Sequence, residues 1–259
     1  MDASADLPRA LVLCDPYDVV AGWAATGLES RLGPVQVVTS SDLANALHWE
    51  HRVGQATPVA EVTLGDGRRF SSREPCGVLN RLTFCPTDRL DAVGGQDRDY
   101  AVAELQALFM SWLQALPGPM LNRPTSMGLG GHWRHPSAWA VLAGRAGLAT
   151  ERFHQSDQDL SDLVVTPPAF RPDRPGGALT AVPVTVIVVG DVVVGPPEVP
   201  GDVVDCCLRL ARLAGDDLFG VDLVEVSPGS WTMVSATAMP DVRLGGEAVL
   251  DALAKELLA

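Results

Sequence analysis

Residues 218–246 read LFGVDLVEVSPGSWTMVSATAMPDVRLGG, two apolar β-forming arms on either side of a turn. The arms predict strands over Gly220–Val226 and Ser230–Ala236, and Ser227-Pro228-Gly229 supplies the turn chemistry between them. Asp222 is the first acid of the first arm, and the second arm ends in Ser235-Ala236-Thr237. Pro-Asp and Gly-Gly stop the second arm, and Glu247–Leu258 has the spacing of a closing helix.

Before this hairpin, Thr180–Val189, Gly190-Asp191 and Val192–Val194 read as strand, turn and return strand, and Asp202–Ala214 as a helix. At the N-terminal side, Arg9–Cys14 is a continuous apolar run of the kind a buried parallel strand shows. A helix over Val20–Leu32 follows, broken by Gly33-Pro34, and then a strand over Val35–Thr39. Ser40-Ser41-Asp42 predicts the cap of a second helix over Leu43–Arg52. This β-α-β-α opening predicts a small parallel sheet. Gly65-Asp66-Gly67, between Pro58–Leu64 and Arg68–Phe70, predicts a hairpin, and Gly77–Leu82 a further strand. Asp99–Leu116 is an amphipathic helix stopped by Pro117-Gly118-Pro119. Met120–Pro124 is strand-like.

These elements, in this order, resemble the ATP-grasp superfamily of the glutathione synthetase, ribosomal-protein-modifying ligase and peptide maturase type. Four stretches carry the resemblance: Leu121-Asn122-Arg123-Pro124; the helix Pro136–Ala146 running into Gly147-Leu148-Ala149-Thr150; the Gly190-Asp191 hairpin; and the GVDL hairpin with Trp231. The resemblance implies an α/β, ATP-grasp-like fold. An N-terminal parallel-sheet domain over residues 1–119 would precede a reduced α+β ATP-grasp-like half over residues 120–259. In the family the first arm of the last hairpin carries an acidic metal ligand, and the second ends in Glu-x-Asn. Asp222 therefore holds a residual metal-site position, while Ser235-Ala236-Thr237 replaces the other ligands. Magnesium is held by hard oxygen donors, carboxylates above all. The family's nucleotide lysines are also replaced. Leu163–Thr166 stands where one belongs, and His132-Trp133-Arg134-His135 stands where the other does. Pro167–Gly177, with four prolines and two glycines in eleven residues, reads as an open loop rather than a β flap. The distance from Thr150 to Gly190 is short for a complete ATP-binding half.

Composition narrows the function classes. The net charge of −13 opposes nucleic acid, whose binding depends on basic residues neutralising phosphates. No apolar run reaches the length of a membrane span, and MDASADLPRA lacks the basic and apolar regions of a secretory signal. Lys255 is the single lysine among 19 basic residues, so chemistry that needs an interior lysine is excluded. Cys14, Cys76, Cys85, Cys206 and Cys207 form no C-x-x-C pair, which points to a reduced, cytoplasmic protein.

Two LNR strands end in Asn80-Arg81 and Asn122-Arg123. With Arg134 these form the candidate ligand-binding cluster: Asn80, Arg81, Asn122, Arg123 and Arg134. A guanidinium is a two-pronged donor for carboxylate or phosphate, and α/β folds bind ligands beyond their strand ends. The competing reading is that each arginine pairs with a nearby acid. His48 and His51, like His132 and His135, are spaced for one helical face, but no third ligand completes a zinc site. Gly128-Leu129-Gly130-Gly131 reads as linker. Trp112, Trp139 and Trp231 suit core faces, and Trp133 suits contact with a partner.

The resulting expectation is a degenerate ATP-grasp-like pseudoenzyme without cofactor, an accessory of peptide natural-product maturation that binds a peptide, a small acid or a partner protein. No nucleic acid or membrane is expected as a partner, and a homodimer is left open. One alternative is an active carboxylate–amine ligase taking ATP and Mg²⁺, with Asp222, Asp241 or Glu225 at the metal and Arg123 and Arg134 at the phosphates. The other is an ATP-independent enzyme in the same cleft. No catalytic residue is assigned.

Overall fold

The computed structural model describes residues 8–54, 58–74, 76–87, 90, 93–150 and 182–259. It packs as two units, Met1–Trp133 with Gly246–Ala259, and Arg134–Gly245. Sequence alone set a division after residue 119; the packing assigns Met120–Trp133 and the closing helix to the first unit. Leu163–Thr166 and Pro167–Gly177 lie outside the described residues.

The first unit opens with β1 (Ala10–Cys14), α1 (Val19–Leu32) and β2 (Val35–Thr39). All five residues of β1 are buried, as their unbroken apolar run requires. Asp18 starts α1 by accepting from the Val20 and Ala21 amides, both at 2.9 Å. Next come α2 (Ser40–Ala44), β3 (His48–Arg52), β4 (Val59–Thr63), β5 (Arg69–Ser71), β6 (Gly77–Arg81), α3 (Gly95–Ala115) and β7 (Met120–Leu121). The sheet order β2-β1-β6-β7 is parallel throughout, with Ala10 opposite Val35 on one side and Gly77 on the other.

The helix expected over Leu43–Arg52 is corrected. A Thr39–Asp42 capping box starts α2, which ends at Ala44, and His48–Arg52 is a strand antiparallel to β4. Strands β3, β4 and β5 form a separate sheet. Burial decides this: Trp49 packs against Phe109 and Trp112 of α3, with ring centroids 5.1 and 5.2 Å away. A strand sends Trp49 and His51 to one side and Glu50 between them to the other.

The second unit holds α4 (Pro136–Ala146), β8 (Ala149–Thr150), β9 (Val184–Val189), β10 (Val192–Val194), α5 (Gly201–Ala214), β11 (Leu218–Ser227) and β12 (Ser230–Thr237). The sheet order is β10-β9-β11-β12-β8, antiparallel except where β8 joins β12. Gly190, with φ 55°, turns the β9–β10 hairpin. Trp139 stacks on Phe219 at 5.9 Å in a core shared with Val186, Val188, Cys207 and Leu210. Asp222 faces Ser235 but Leu223 faces Met233, so Val234 is the extra residue of a bulge.

From the second unit the chain returns to the first as α6 (Gly246–Leu257), packed on α1, β6 and β7. The mixed α/β architecture is the expected one. No described helix is long and apolar enough to cross a membrane.

Candidate functional site

In the first unit the chain leaves β1 towards β2 on one side, and leaves β6 through α3 towards β7 on the other. The β1–β6 edge is therefore a topological switch point, the place where open α/β sheets bind ligands beyond their strand C-termini. Asn80 is buried here, and its amide donates to the Asn122 carbonyl at 2.9 Å and the Leu129 carbonyl at 2.7 Å. It also accepts from the Leu82 amide at 3.2 Å. This one side chain ties the ends of β6 and β7 to the 123–133 loop. Asn122, buried with φ 58°, takes the left-handed conformation that asparagine tolerates. The Gly128–Gly131 run starts at a Thr125–Gly128 bridge and ends where the Thr125 hydroxyl donates to the Gly131 carbonyl at 3.1 Å, with Leu129 buried.

Arg81 is 7% exposed, and its Nε donates to Asp18 Oδ2 at 2.8 Å. Asp18 thus holds Arg81 with one oxygen and caps α1 with the other. The Arg81 charge is committed inside the unit. Half-buried Arg123 donates to the Gly118 carbonyl at 3.1 Å. Across the same edge, the Thr83 amide donates to Asp15 Oδ2 at 3.1 Å and its hydroxyl donates to the same oxygen. Asp15 Oδ1 is buried with no hydrogen-bond partner among the described residues. The Cys14 thiol is pushed up to about 11, first by burial, then by Asp18 and Asp15 against the opposing Arg81, with Asp42 adding a little. Around Cys14 three acids thus act against one arginine, where the LNR motifs had suggested an excess of positive charge. Asp15, Asp18, Thr83 and Tyr17 escaped the sequence reading. The one signal for them was the DPYD run closing the first strand.

In the second unit, the register sets Thr185, Asp222 and Ser235 side by side across β9, β11 and β12. The Thr185 hydroxyl donates to Asp222 Oδ1 at 2.7 Å and the Ser235 hydroxyl to Oδ2 at 2.5 Å. Both carboxylate oxygens are held by hydroxyl protons. Glu225, an odd three residues along β11, faces the other way and accepts from the Gly229 amide at 2.7 Å. Asp241 accepts from Arg243 Nε at 2.8 Å and Nη2 at 2.7 Å. Among the described residues no three His, Cys, Asp or Glu side chains gather as metal ligands would. Asp222 is the one carboxylate of this row, and two hydroxyls already donate to it.

Arg134, also in the second unit, pairs with Asp216, donates to the Ala214 carbonyl, and lies 4.8 Å from the centroid of the Trp139 ring. It joins the start of α4 to the end of α5. Its former companions Asn80, Arg81, Asn122 and Arg123 belong to the first unit. The histidine spacing is also reinterpreted: His48 and His51 lie on a strand, on opposite faces, and His51 Nε2 is 2.8 Å from the Ser111 hydroxyl. His135 caps α4. Trp133 is exposed, while Trp112, Trp139 and Trp231 are buried. A cavity of about 700 Å³ opens at the N-terminal ends of β1, β6 and β7, between Arg9, Gly77, Pro119 and Leu257, at the edge opposite the LNR motifs.

No family model matches this sequence, and no curated protein does. Solved structures do. The macrocyclase MdnC from Microcystis aeruginosa MRC, bound with precursor peptide MdnA, is 12% identical; 96% of this chain and 99% of that one are covered, with a TM-score of 0.73. The ATP-grasp ligase PsnB, with a phosphomimetic variant of its minimal precursor, Mg and ADP, is 16% identical over 97% and 99% of the two chains, at TM-score 0.70. A Chryseobacterium gregarium ATP-grasp ligase associated with RiPPs, in complex with ADP and a leader and core peptide, is 10% identical over 97% of each chain, at TM-score 0.71. Likeness at such identity shows the fold: the chain is built as the ATP-grasp ligases are.

Proposed function

We propose that this chain, on the fold of the ATP-grasp ligases, is a peptide-binding accessory protein of peptide natural-product maturation that performs no ATP-dependent ligation. The observation that carries the reading is the Thr185–Asp222–Ser235 row. Phosphoryl transfer works almost wholly through metal ions and cations placed around the phosphates. At the expected metal position this chain has one carboxylate engaged by two hydroxyls, and its second arm ends in Ser-Ala-Thr. Arg134, the substitute for a nucleotide lysine, is paired with Asp216. Losing a single preorganised donor typically costs about two to three orders of magnitude in rate, so losing several leaves no ligase. The peptide partner is drawn from MdnC and the Chryseobacterium ligase, whose structures hold precursor, leader and core peptides.

A second reading, an active ligase with a divergent site, is favoured by the Mg and ADP in the PsnB complex. The two readings part on nucleotide. A ligand that binds the native state well above its Kd raises the melting temperature. Under the first reading, saturating Mg-ATP leaves the melting temperature where buffer does, and no ADP appears with a peptide present. A rise of several degrees that Asp222→Ala abolishes would establish the second.

A further inference from the structure

At the β1–β6 edge of the first unit, exposed apolar side chains stand next to acidic ones. Tyr17 holds a left-handed backbone conformation, φ 68°, and is 99% exposed. Bulky residues adopt that conformation rarely and at a cost. Val19 is 66% exposed, and Phe84, one residue past the Thr83–Asp15 bond, is 51% exposed. Tyr17 and Phe84 lie on two loops that the Thr83–Asp15 bonds tie together, and Val19 opens α1. Asp15 and Asp18 flank Tyr17 in the chain, Asp15 is bonded to Thr83 beside Phe84, and Asp18, Asp15, Arg81 and Asp42 all act on the neighbouring Cys14 thiol. Arg81 neutralises Asp18. Asp15 receives hydrogen bonds on one oxygen only, and its other oxygen is buried without a donor among the described residues.

We propose that this rim is a docking surface for a peptide segment that carries a lysine or arginine next to an apolar residue. The inference rests on the peptide-binding reading above and names the chemistry of the partner. Isolated exposed apolar side chains are ordinary on protein surfaces, so the charge beside them makes the argument. A cation seated against the Tyr17 or Phe84 ring is attracted by the ring face and by the uncompensated carboxylates beside it. An acidic segment would meet those carboxylates with like charge, and the nearest guanidinium is already bound to Asp18. Charge complementarity therefore selects a basic peptide.

The test presents the full chain to a random peptide library displayed on phage, beside Tyr17→Ala, Asp15→Asn and, as a control in the second unit, Leu244→Ala. The selected peptides should pair Lys or Arg with a neighbouring aliphatic or aromatic residue. Their capture should weaken with added salt and fall roughly tenfold or more with Tyr17→Ala or Asp15→Asn, about the scale of one lost charge contact. Leu244→Ala should capture as the parent does. Tyr17 lies in solvent, and the amide oxygen that Asp15→Asn leaves in place can still accept from Thr83. Both variants should therefore keep the parent melting temperature; if Asp15→Asn does not, Tyr17→Ala with Phe84→Ala carries the test. Selection of acidic or uncharged peptides, or equal capture by the Tyr17 and Asp15 variants, overturns the docking surface and leaves peptide binding standing. A library from which the parent enriches nothing overturns both.

Discussion

Asp222 shows how neighbouring hydroxyls hold a carboxylate inside a sheet. It stays between strands because Thr185 and Ser235 each donate a hydroxyl proton to it. Hydrogen bonds to a charged group contribute about 1.5–3 kcal/mol, so Ser235→Ala should lower stability by about that much, and Thr185→Ala similarly. Because both act on one carboxylate, the double variant should depart from the sum; urea unfolding of the three proteins measures it. The thiols give a second residue-level prediction. Burial is the main cause that pushes Cys14 and Cys76 up to about 11 and Cys85 and Cys207 up to about 12, from an ordinary 9.0. The fold keeps the protonated form, while the unfolded chain ionises near 9. Their contribution is therefore fully present below pH 9 and is lost as pH rises towards 11–12. Melting temperatures followed into the alkaline range should fall in that window, and iodoacetamide should label these thiols slowly until urea is added.

At the scale of elements, two glycines seat α6. A Cβ on Gly27 would meet the tip of the Leu250 side chain, which can rotate away. A Cβ on Gly77 would come within 2.3 Å of the Leu257 carbonyl oxygen, and a backbone cannot step aside without moving the helix. Overpacking costs about 1–3 kcal/mol, so Gly77→Ala should destabilise clearly more than Gly27→Ala in parallel urea titrations; equal losses would mean that α6 shifts freely. Arg31 also reaches Glu247 and Asp251, at 2.6 and 2.7 Å, but these acids are exposed and such pairs contribute little. The apolar face of α6, with Leu250, Leu253 and Leu257, is what holds it. Elements of this kind were legible from periodicity and punctuation: β1, α1, β2 and the β11–β12 hairpin all fall where apolar runs and Gly or Pro breaks place them, and α4 falls where the family resemblance placed it. His48–Arg52 was not legible, because its strand identity comes from pairing with β4 and from Trp49 reaching α3. The partners of two arginines were not legible for a similar reason. Asp18 lies 63 residues from Arg81 and Asp216 lies 82 from Arg134, and no local spacing announces a partner that distant.

The whole chain makes its first unit in two pieces, with residues 134–245 written between them. Removing Gly246–Ala259 should therefore damage the unit furthest from it in sequence order. Near-ultraviolet dichroism should lose the Trp49–Phe109–Trp112 signature while the Trp139–Phe219 stack of the second unit persists; loss of both together would mean a single cooperative unit. The arrangement also sets a timetable for birth on the ribosome. Translation delivers the parallel sheet early, yet the strip of β6 and α1 that α6 covers stays bare until the entire intervening unit has emerged. A nascent chain of this design spends its synthesis with an unfinished domain nearest its N-terminus, so a chaperone that shields that strip, or slow codons ahead of residue 246, would govern yield more than the stability of the finished protein.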